Sequence, residues 1–599
     1  MCGIFGCVGV DHCLPVLIDG LANLQYRGHD SAGVAYFDKQ NKINIYKKVG
    51  KVENLKTVVN FAEQTTCGIA HTRWATHGGT TETNCHPHTS GKITLIHNGI
   101  IENYSELKKE FINQLKSETD SEIIAKIINN NYLNNFKSIK KKNKKILRKI
   151  LIKSINDAIK SLKGAWAVAL ICADIPNEIY VFKNTSPIII AEGNKCKFIS
   201  SDYSAINLNI KNKKLNYFNL NDNEIAVLNN KNVEYYDINL NKIKKDILNI
   251  NIDETDLGKA GFEHYMLKEI YEVPDAVEKT MHSILTSGGE AVSILKECKQ
   301  LTIIGCGTAY HAGLVGKFYF EKMLNKKAEV QLASEFRYNK QIFSDGQIVL
   351  GISQSGETAD TIAGLKLAKS EGLKTIVITN VKNSTITEFA DFVIYTEAGK
   401  ETAVAATKSF NSQVAALFTL FMLASGNSKI DTSSLKEALR TEIKNFDNKT
   451  IFEPFFNKKK FFFIGRDVDA TISLEAALKL KEITYSHSEG YPAGELKHGT
   501  LSLVDDETAV IAIITQKQIA HKTLNALREA WARGAKTLIV SQLDLQNEAD
   551  YFIRLEEAEE EFLPILAVVP FQLFAYYVAK NKGYDPDNPR NLAKSVTVE

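Results

Sequence analysis

The sequence predicts an α+β domain of layered antiparallel sheets, followed by two α/β doubly wound domains. Two observations support this prediction. The first 230 residues contain short β-type runs separated by turns, with few helix-length stretches. The second half contains an internal repeat: residues 301–305 match 461–465 at an offset of 160, and residues 372–380 match 534–542 at an offset of 162. Two similar domains therefore follow each other.

In the first domain, the predicted strands are short and separated by turn residues. They cover residues 3–10, 68–71, 93–97, 165–172, 178–182, 197–200 and 224–228. The segment from 129 to 163 is rich in Asn, Lys and Ile, and it predicts a solvated basic helix or loop. A nucleic-acid patch is the alternative, but only Tyr132 and Phe136 lie nearby to stack on bases.

In the second half, apolar strand runs alternate with helix-length stretches, as in a doubly wound parallel sheet. The predicted strands are 301–305, 347–352 and 374–379, then 460–464, 508–514 and 536–541. Such sheets bind ligands at the carboxyl ends of their strands. The predicted boundaries are 2–230 for the first domain, 231–289 for a linker and helical lead-in, 290–430 and 452–589 for the two copies, and 590–599 for a tail.

Composition narrows the class of protein. The chain has 599 residues, 44% apolar and 24% charged, with a net charge of +3, so neither nucleic acid nor a membrane surface is predicted as a partner. The apolar runs 414–424 and 562–579 predict buried helices, because the first is short and the second contains two prolines. The nine cysteines are scattered and include no C-x-x-C pair, which predicts reduced thiols in a cytoplasmic protein.

Cys2 is the first candidate catalytic residue. Removal of Met1 would give it a free α-amino group, whose pKa of about 7.7 to 8.0 suits a base that takes the proton of the thiol. Cys2 then holds both a nucleophile and a base. The alternative is an ordinary buried cysteine at the start of a strand.

Other residues of the first domain could supply the binding and oxyanion groups that a cysteine nucleophile needs. Arg73 suits bidentate binding of a carboxylate, Asn98 and the Gly99 N–H suit an oxyanion hole, and Asp120 suits an ammonium group. Together with Cys2 they describe hydrolysis of an amino-acid side-chain amide. Each has a structural alternative: Arg73 and Asp120 in surface ion pairs, and Asn98-Gly99 in a turn.

The motifs CGIFG, YRGHDSAG, HTRWATHG, HNGII and SETD, in this order, resemble the N-terminal-nucleophile glutamine amidotransferases. The resemblance implies a four-layer αββα sandwich. It implies that Cys2 attacks the glutamine amide, that Asn98 and Gly99 hold the oxyanion, and that the substrate is positioned by four residues. These are Arg73, Thr76, His77 and Asp120.

Two other site types are not predicted. Residues His71, His77, Cys85, His86 and His88 lack a standard zinc spacing, so no metal site is predicted. The run Gly305-Cys-Gly307 imitates a dinucleotide fingerprint, but Tyr310 stands where its third glycine belongs.

The run Ser353-Gln354-Ser355-Gly356-Glu357-Thr358 follows a predicted strand and precedes a predicted helix. Its hydroxyls, with backbone N–H groups at a helix N-terminus, predict an anion cradle for phosphate. The alternative is that Ser355 or Thr358 merely caps the helix.

In the second copy, Glu475, Lys479 and Glu482 lie on one face of a predicted helix. Such triplets are usually solvated ion pairs. Proton transfer between neighbouring carbons needs a carboxylate base, and ring opening needs an acid or base such as His498. Lys594 in the tail could form a Schiff base with a ketone.

The motifs SQSGETADT, VAATK, EAALKLKEI, GELKHG and PRNLAKSVTVE closely resemble the paired sugar-isomerase (SIS) domains of the glucosamine-6-phosphate synthase family, and the match runs almost end to end. The resemblance implies L-glutamine and fructose 6-phosphate as substrates and no cofactor. The phosphate ligands it implies are Ser353, Gln354, Ser355 and Thr358, with Thr308 also contacting the sugar phosphate.

The same resemblance assigns the remaining roles. It assigns the C1/C2 proton shuttle to Glu482, with Lys479 nearby, and the imine to Lys594. It assigns ring opening to His498 of a neighbouring subunit, which implies a homodimer. Internal passage of ammonia is implied as well, with Trp74 as its gate and the tail from Arg590 as part of its wall.

The chain departs from the family at three points. It has Ala309 and Ala406 where serine is common, so each position lacks one hydroxyl. The 129–163 segment is longer and more basic than expected. The insertion typical of nucleotide-sugar-inhibited eukaryotic forms is absent, which favours a bacterial-type enzyme.

Two other classes of protein share part of these motifs: other glutamine amidotransferases, and sugar-phosphate-sensing regulators. Among the amidotransferases, asparagine synthetase needs an S-G-G-x-D-S loop, and an enzyme with a phosphoribosyltransferase domain needs paired acids that run into a Gly-Thr loop. Residues 287–290 and 504–508 each lack part of these motifs. Sugar-phosphate-sensing regulators have a single isomerase-type domain, usually with a helix-turn-helix, whereas this chain has two copies and an N-terminal nucleophile.

Overall fold

A computed structural model describes residues 2–25, 28–75, 77–111, 114–137, 143–202, 205–206, 215–248 and 258–596. The chain divides into two compact units. Unit 1 comprises 1–252 and 595–599, and unit 2 comprises 253–594.

Unit 1 contains two seven-stranded sheets. Its strands are β1 Gly3–Val8, β2 Ser31–Phe37, β3 Ile43–Val49, β4 Cys67–Arg73, β5 His88–Ser90, β6 Ile93–Ile101, β7 Gly164–Cys172, β8 Ile175–Asn184, β9 Ile189–Glu192, β10 Lys197–Ser200, β11 Asn216–Asn219, β12 Ile225–Leu228, β13 Val233–Tyr236 and β14 Lys242–Ile243. One sheet has the order β11-β9-β10-β1-β4-β2-β3 and the other β14-β13-β12-β8-β7-β6-β5. The helices are α1 Cys13–Leu24, α2 Val52–Lys56, α3 Tyr104–Lys108, α4 Asp120–Lys137 and α5 Lys144–Ile159.

The apolar side chains of unit 1 form three layers. Ile4, Ile69 and Ile96 belong to the core between the two sheets. A second core joins α1 to the first sheet, and a third joins α4 and α5 to the second sheet. Because strand side chains alternate between faces, each sheet packs on the other sheet and on helices. The predicted αββα sandwich is confirmed.

The structure differs from the sequence prediction in unit 1 in three ways. Strands β2, β3, β5, β9 and β11 were not predicted. Strands β13 and β14 extend the second sheet into the range predicted as a linker, so the sheet does not end at residue 230. Within the basic segment, α5 is amphipathic and buries Ile150, Leu151 and Ile155, while Lys140 to Lys142 lie outside the described residues. Isoleucines every three or four residues bury one face despite the surrounding lysines.

Unit 2 contains two five-stranded parallel sheets. Its strands are β15 Gln300–Gly305, β16 Lys327–Leu332, β17 Gln347–Ser353, β18 Lys374–Thr379, β19 Phe392–Tyr395, β20 Lys460–Gly465, β21 His487–Pro492, β22 Thr508–Ile513, β23 Lys536–Ser541 and β24 Tyr551–Arg554. The orders are β16-β15-β17-β18-β19 and β21-β20-β22-β23-β24. The same order in both sheets confirms the predicted duplication of a doubly wound domain.

Helices flank both sheets of unit 2. They are α6 Tyr265–Tyr271, α7 Val273–Ser287, α8 Gly289–Glu297, α9 Thr308–Leu324, α10 Ala333–Phe336, α11 Ala359–Ser370, α12 Lys408–Ala424, α13 Thr432–Phe446, α14 Val468–Thr484, α15 Ala520–Trp531, α16 Leu563–Leu566 and α17 Val569–Asn581. Helices α9 and α14 follow the first strand of each copy and pack against each other. One continuous core contains side chains of both copies, including Tyr319, Leu417, Leu480 and Phe574. The two copies therefore share a core.

The two apolar runs noted in the sequence are helical and buried. Val414–Ala424 belongs to α12, whose side chains are almost all buried. The stretch Glu560–Asn581 is long and apolar enough to cross a membrane by composition, and 94% of its most apolar window is buried within the protein.

Candidate active sites

Cys2 lies immediately before β1, in the middle of the first sheet of unit 1. Its Sγ accepts a hydrogen bond from the backbone N–H of Trp74 at 3.2 Å, and its S–H donates to the Trp74 carbonyl oxygen, with 3.5 Å between Sγ and that oxygen. Burial raises the pKa of the Cys2 thiol. A protonated thiol of this kind needs a base before it can attack.

Asn98 lies beside Cys2, inside strand β6 and not in a turn. Its side-chain amide donates to the Cys2 carbonyl oxygen at 3.0 Å. Gly99 follows with φ +134°, and a Cβ at this position would lie 2.0 Å from the Ala165 carbonyl oxygen. Glycine is therefore required where the two strands approach.

Four buried histidines form a cluster that contacts the Asn98 amide through His71, and sequence reasoning missed their role. His71 Nε2 lies 3.1 Å from Asn98 Oδ1 and 2.9 Å from the His97 carbonyl oxygen. The His71 and His86 rings stack at 3.9 Å between centroids. Burial lowers the pKa of His71 to about 3 and also lowers the pKa values of His86, His88 and His97, so these rings are neutral at neutral pH.

A neutral His71 that donates from Nε2 to Asn98 Oδ1 fixes which end of the amide faces Cys2. The Asn98 N–H₂ group is then directed to the Cys2 backbone. The signal for this role was present in the sequence, because His71 opens the HTRWATHG motif.

Arg73 and Asp120, two of the predicted glutamine-binding residues, are buried rather than held in surface ion pairs. Arg73 is 3% exposed, and its guanidinium donates to the carbonyl oxygens of His77 at 2.6 Å, Gly78 at 3.0 Å and Gly79 at 3.1 Å. Asp120 is also 3% exposed, and its Oδ2 accepts the Ile101 N–H at 2.9 Å. His77 is half-buried, and Thr76 lies outside the described residues.

The predicted anion cradle forms the loop between β17 and α11 in unit 2. The Ser353 and Thr358 hydroxyls lie 2.9 Å apart, and Ser353 Oγ accepts the Gly356 N–H at 3.1 Å. Ser355 Oγ accepts the Glu357 N–H at 3.1 Å, and the Gln354 carbonyl oxygen accepts the Asn380 N–H. Thr358 occupies the N-cap position of α11 without making a side-chain cap bond, so capping does not account for these hydroxyls.

Helix α14 brings its predicted triplet to the first copy. Lys479 Nζ lies 2.7 Å from Glu482 Oε2 and 3.4 Å from Glu475 Oε1, and it donates to Thr308 Oγ1 at 3.1 Å. Thr308 follows β15, which is parallel to its neighbour β17. It therefore lies at the carboxyl ends of the strands, as the Ser353 loop does. The triplet is a buried network and not a solvated face: the Lys479 side chain is 0% exposed.

The pKa values of the two carboxyl groups of this network are shifted in opposite directions. Burial alone raises the pKa of Glu475, but Lys479 and His311, whose Nδ1 lies at 2.7 Å, bring it below its ordinary value. Burial raises the pKa of Glu482 above its ordinary value despite Lys479. Glu482 can therefore exchange a proton nearer neutral pH, as an acid–base group requires.

Lys594 forms an ion pair with Glu401, and both side chains are buried. Burial alone raises the pKa of Glu401, but Lys594 and the Ser409 hydroxyl bring it down to about 2. Burial and the nearby Glu401 raise the pKa of Glu269 to about 8. Glu401 carried no signal in the sequence, since 193 residues separate it from Lys594.

His498 is exposed, at the end of a 3₁₀ turn that runs from Ala493 to His498. Within the described part of the chain, no hydrogen bond or ion pair joins it to Glu482, Lys479 or Lys594. Trp74 is half-buried, and its backbone is what contacts Cys2.

Known protein families match the first domain and the two repeated domains separately. The Glutamine amidotransferase domain family matches residues 71–207, and the SIS domain family matches residues 294–423 and 455–581. Proteins named glutamine–fructose-6-phosphate aminotransferase (isomerizing) from Caldanaerobacter subterraneus subsp. tengcongensis and Aquifex aeolicus are 41% and 40% identical to the chain, over all of both proteins. The solved C-terminal domain of glucosamine-fructose-6-phosphate aminotransferase from Francisella tularensis covers 56% of this chain and 100% of its own, with 35% identity and a TM-score of 0.52.

Proposed function

The chain belongs to the glutamine–fructose-6-phosphate aminotransferase (isomerizing) family, and on this basis we propose that it transfers the amide nitrogen of glutamine to fructose 6-phosphate and isomerises the product to glucosamine 6-phosphate. Glutamate is the second product. The observation that carries the proposal is the presence, in one chain, of a Cys2–Asn98 site and a sugar-isomerase site with a buried Glu–Lys–Glu network.

In the glutaminase half, Cys2 Sγ attacks the amide carbon of glutamine after removal of Met1 frees the α-amino group. The α-amine accepts the thiol proton, and the amide nitrogen leaves as ammonia before water releases glutamate. The Asn98 amide and the Gly99 N–H stabilise the tetrahedral oxyanion. Arg73, Thr76, His77 and Asp120 position the substrate, and the burial of Arg73 and Asp120 supports their assignment to a carboxylate and an ammonium group.

In the isomerase half, the loop of Ser353, Gln354, Ser355 and Thr358 holds the phosphate, and Thr308 contacts the sugar. Lys594 first gives up the proton that pairs it with Glu401 and then forms an imine with the ketone carbon, with loss of water. Ammonia adds to the same carbon and displaces the Lys594 amine. Glu482 then moves the proton from C1 to C2 of the resulting sugar imine. The raised pKa of Glu482 and its contact with Lys479 support this role.

His498 opens the sugar ring in this proposal, and a second copy of the chain supplies it. Its exposed position on the 493–498 turn supports a role outside its own chain. The active form is then a homodimer. We place the reaction in the cytoplasm, which the nine free cysteines support.

Ammonia passes between the two sites without release to solvent, and Trp74 gates its path. A coupled assay tests the reaction: glutamine and fructose 6-phosphate together should give equal amounts of glutamate and glucosamine 6-phosphate. Glutamate release without any amino sugar would contradict the acceptor half. In the same assay, Trp74→Ala should release more glutamate than amino sugar, and an unchanged ratio would contradict the gate.

A further inference from the structure

The phosphate loop of the first copy has a counterpart of equal length in the second copy. In the central strands, Ile304 pairs with Gly351 and Ile464 pairs with Ala512, so β17 and β22 correspond at an offset of 161. Helices α11 and α15 begin at Ala359 and Ala520, which keeps this offset through the loop. The positions of the three hydroxyls Ser353, Ser355 and Thr358 are taken in the second copy by Ile514, Gln516 and Ile519.

In the second copy, the Asp469 carboxylate contacts the loop that follows strand β22. Asp469 corresponds to Ala309 at the offset of 160, and the preceding backbone is the same in both copies: Gly307 has φ 55° and ψ −127°, and Asp467 has φ 54° and ψ −128°. Asp469 Oδ2 accepts the Thr515 N–H at 2.8 Å, and Oδ1 accepts the Thr515 hydroxyl at 2.5 Å. Asp469 is 2% exposed.

Helix α9, the counterpart of α14, lacks the carboxylates of α14. At the offset of 160, Val315, Tyr319 and Lys322 of α9 stand where α14 has Glu475, Lys479 and Glu482. Val315 and Tyr319 are buried, and the Tyr319 hydroxyl donates to the Glu561 carbonyl oxygen at 2.6 Å. The hydroxyl-rich loop is therefore present only in the first copy and the Glu–Lys–Glu helix only in the second.

We propose that Asp469 is an internal anion that occupies the ligand position of the second copy, and that it limits sugar-phosphate binding to the first copy, where Ala309 leaves the position open. Its carboxylate takes the backbone and hydroxyl donors that a phosphate would otherwise use, and its charge repels a second anion. The inference rests on the proposed phosphate cradle of the first copy.

Transfer of the carboxylate to the first copy tests the inference. Ala309→Asp should place a negative charge beside the Ser353 loop, and Ala309→Asn supplies the same size without the charge. Fructose 6-phosphate is titrated calorimetrically into the full chain at pH 8, because burial raises the pKa of Asp469 to about 7. We expect one sugar phosphate per wild-type chain, and binding by Ala309→Asp about 100-fold weaker than by Ala309→Asn.

Equal affinity of Ala309→Asp and Ala309→Asn would overturn the inference, and so would two sugar phosphates per wild-type chain. The midpoint of denaturant unfolding reports whether each variant is folded. Ser353→Ala separates this inference from the proposed cradle. If Ser353→Ala weakens binding and Ala309→Asp binds like Ala309→Asn, the inference alone fails. If Ser353→Ala leaves the affinity unchanged, the cradle itself is wrong.

Discussion

The two candidate active sites differ in the charge of the groups that contact the proposed reacting residues. Cys2 contacts backbone atoms of Trp74 and the Asn98 amide, which are neutral, and the nearby cluster of four histidines is neutral as well, while the charged Arg73 and Asp120 lie close by without contacting the thiol. In unit 2, the site consists of buried ion pairs, Lys479 with Glu475 and Glu482, and Lys594 with Glu401. The first arrangement suits an oxyanion that develops only during reaction, and the second suits repeated proton transfer.

This difference affects how each site responds to the loss of one group. A neutral hydrogen bond contributes about 0.5 to 1.5 kcal/mol to stability, whereas removal of one partner from a buried ion pair costs about 3 to 5 kcal/mol. The isomerase site is therefore the more sensitive of the two to changes of a single charge.

Substitution of Lys594 should give the largest effect. Lys594→Met removes the amine and leaves Glu401 buried without its cation, so we expect loss of amino-sugar synthesis by at least about 1,000-fold and a loss of about 3 to 5 kcal/mol in unfolding free energy. Lys594→Arg keeps the charge but cannot form an imine. It should lose synthesis to the same extent and unfold in denaturant at nearly the wild-type midpoint.

Equal destabilisation by Lys594→Met and Lys594→Arg would argue against the ion pair as the stabilising contact. Synthesis by Lys594→Arg at wild-type rates would argue against the imine.

Glu482 and Glu475 provide a matched pair on one helix with a smaller expected effect. Glu482→Gln removes the proposed proton carrier and should lower isomerisation of the sugar phosphate by about 100- to 10,000-fold. Glu475→Gln leaves Lys479 paired with Glu482 and should lower it by about 10-fold, through poorer positioning of Lys479 and Thr308. Exchange of deuterium from solvent into C1 or C2 distinguishes the two, and equal exchange rates would contradict the assignment of Glu482.

His71 should have the smallest effect. His71→Leu removes the contact that orients Asn98, and we expect about a 10-fold fall in the kcat of glutamine hydrolysis with little change in KM. His71→Gln keeps a donor and should restore most of the rate. Isomerisation in unit 2 should be unchanged in both variants, and a fall there would indicate general misfolding.

The same histidine gives stability a pH dependence. Unfolded His71 binds a proton near pH 6.5, but burial lowers the pKa of the folded residue to about 3, so unfolding takes up a proton between these values. The stabilising contribution of neutral His71 is therefore complete above pH 6.5 and is lost as pH falls toward 3. In denaturant unfolding, the unfolding free energy of His71→Leu should fall less steeply than that of the wild type between pH 6.5 and 3, by up to about 1.4 kcal/mol per pH unit. An identical slope in the wild type would contradict a neutral His71.

The fold was predictable where the sequence repeats or alternates. The offset of 160 identified the duplication, and the apolar runs located β15, β17 and β18 because central parallel strands are apolar on both faces. The edge strands β16, β19, β21 and β24 were not predicted, since edge strands are short and half polar.

Among the proposed site residues, sequence motifs predicted Cys2, Asn98 and the Ser353 loop, because each stands in a short run of neighbouring residues that forms the motif. The partners Glu401 of Lys594 and Asp469 of Thr515 were not predicted. Each contact joins residues from separate elements, and no local pattern marks a charge that is paired only in the folded chain.

The most direct test of two separate sites in one chain is sugar-phosphate isomerisation by Cys2→Ala. In the proposed mechanism, the sulfur and its base act only on glutamine, whereas Glu482 and Lys594 act only on the sugar. We expect Cys2→Ala to lose glutamine hydrolysis by at least about 1,000-fold while it interconverts fructose 6-phosphate and glucose 6-phosphate at the wild-type rate. Loss of both activities in a folded Cys2→Ala protein would contradict the account.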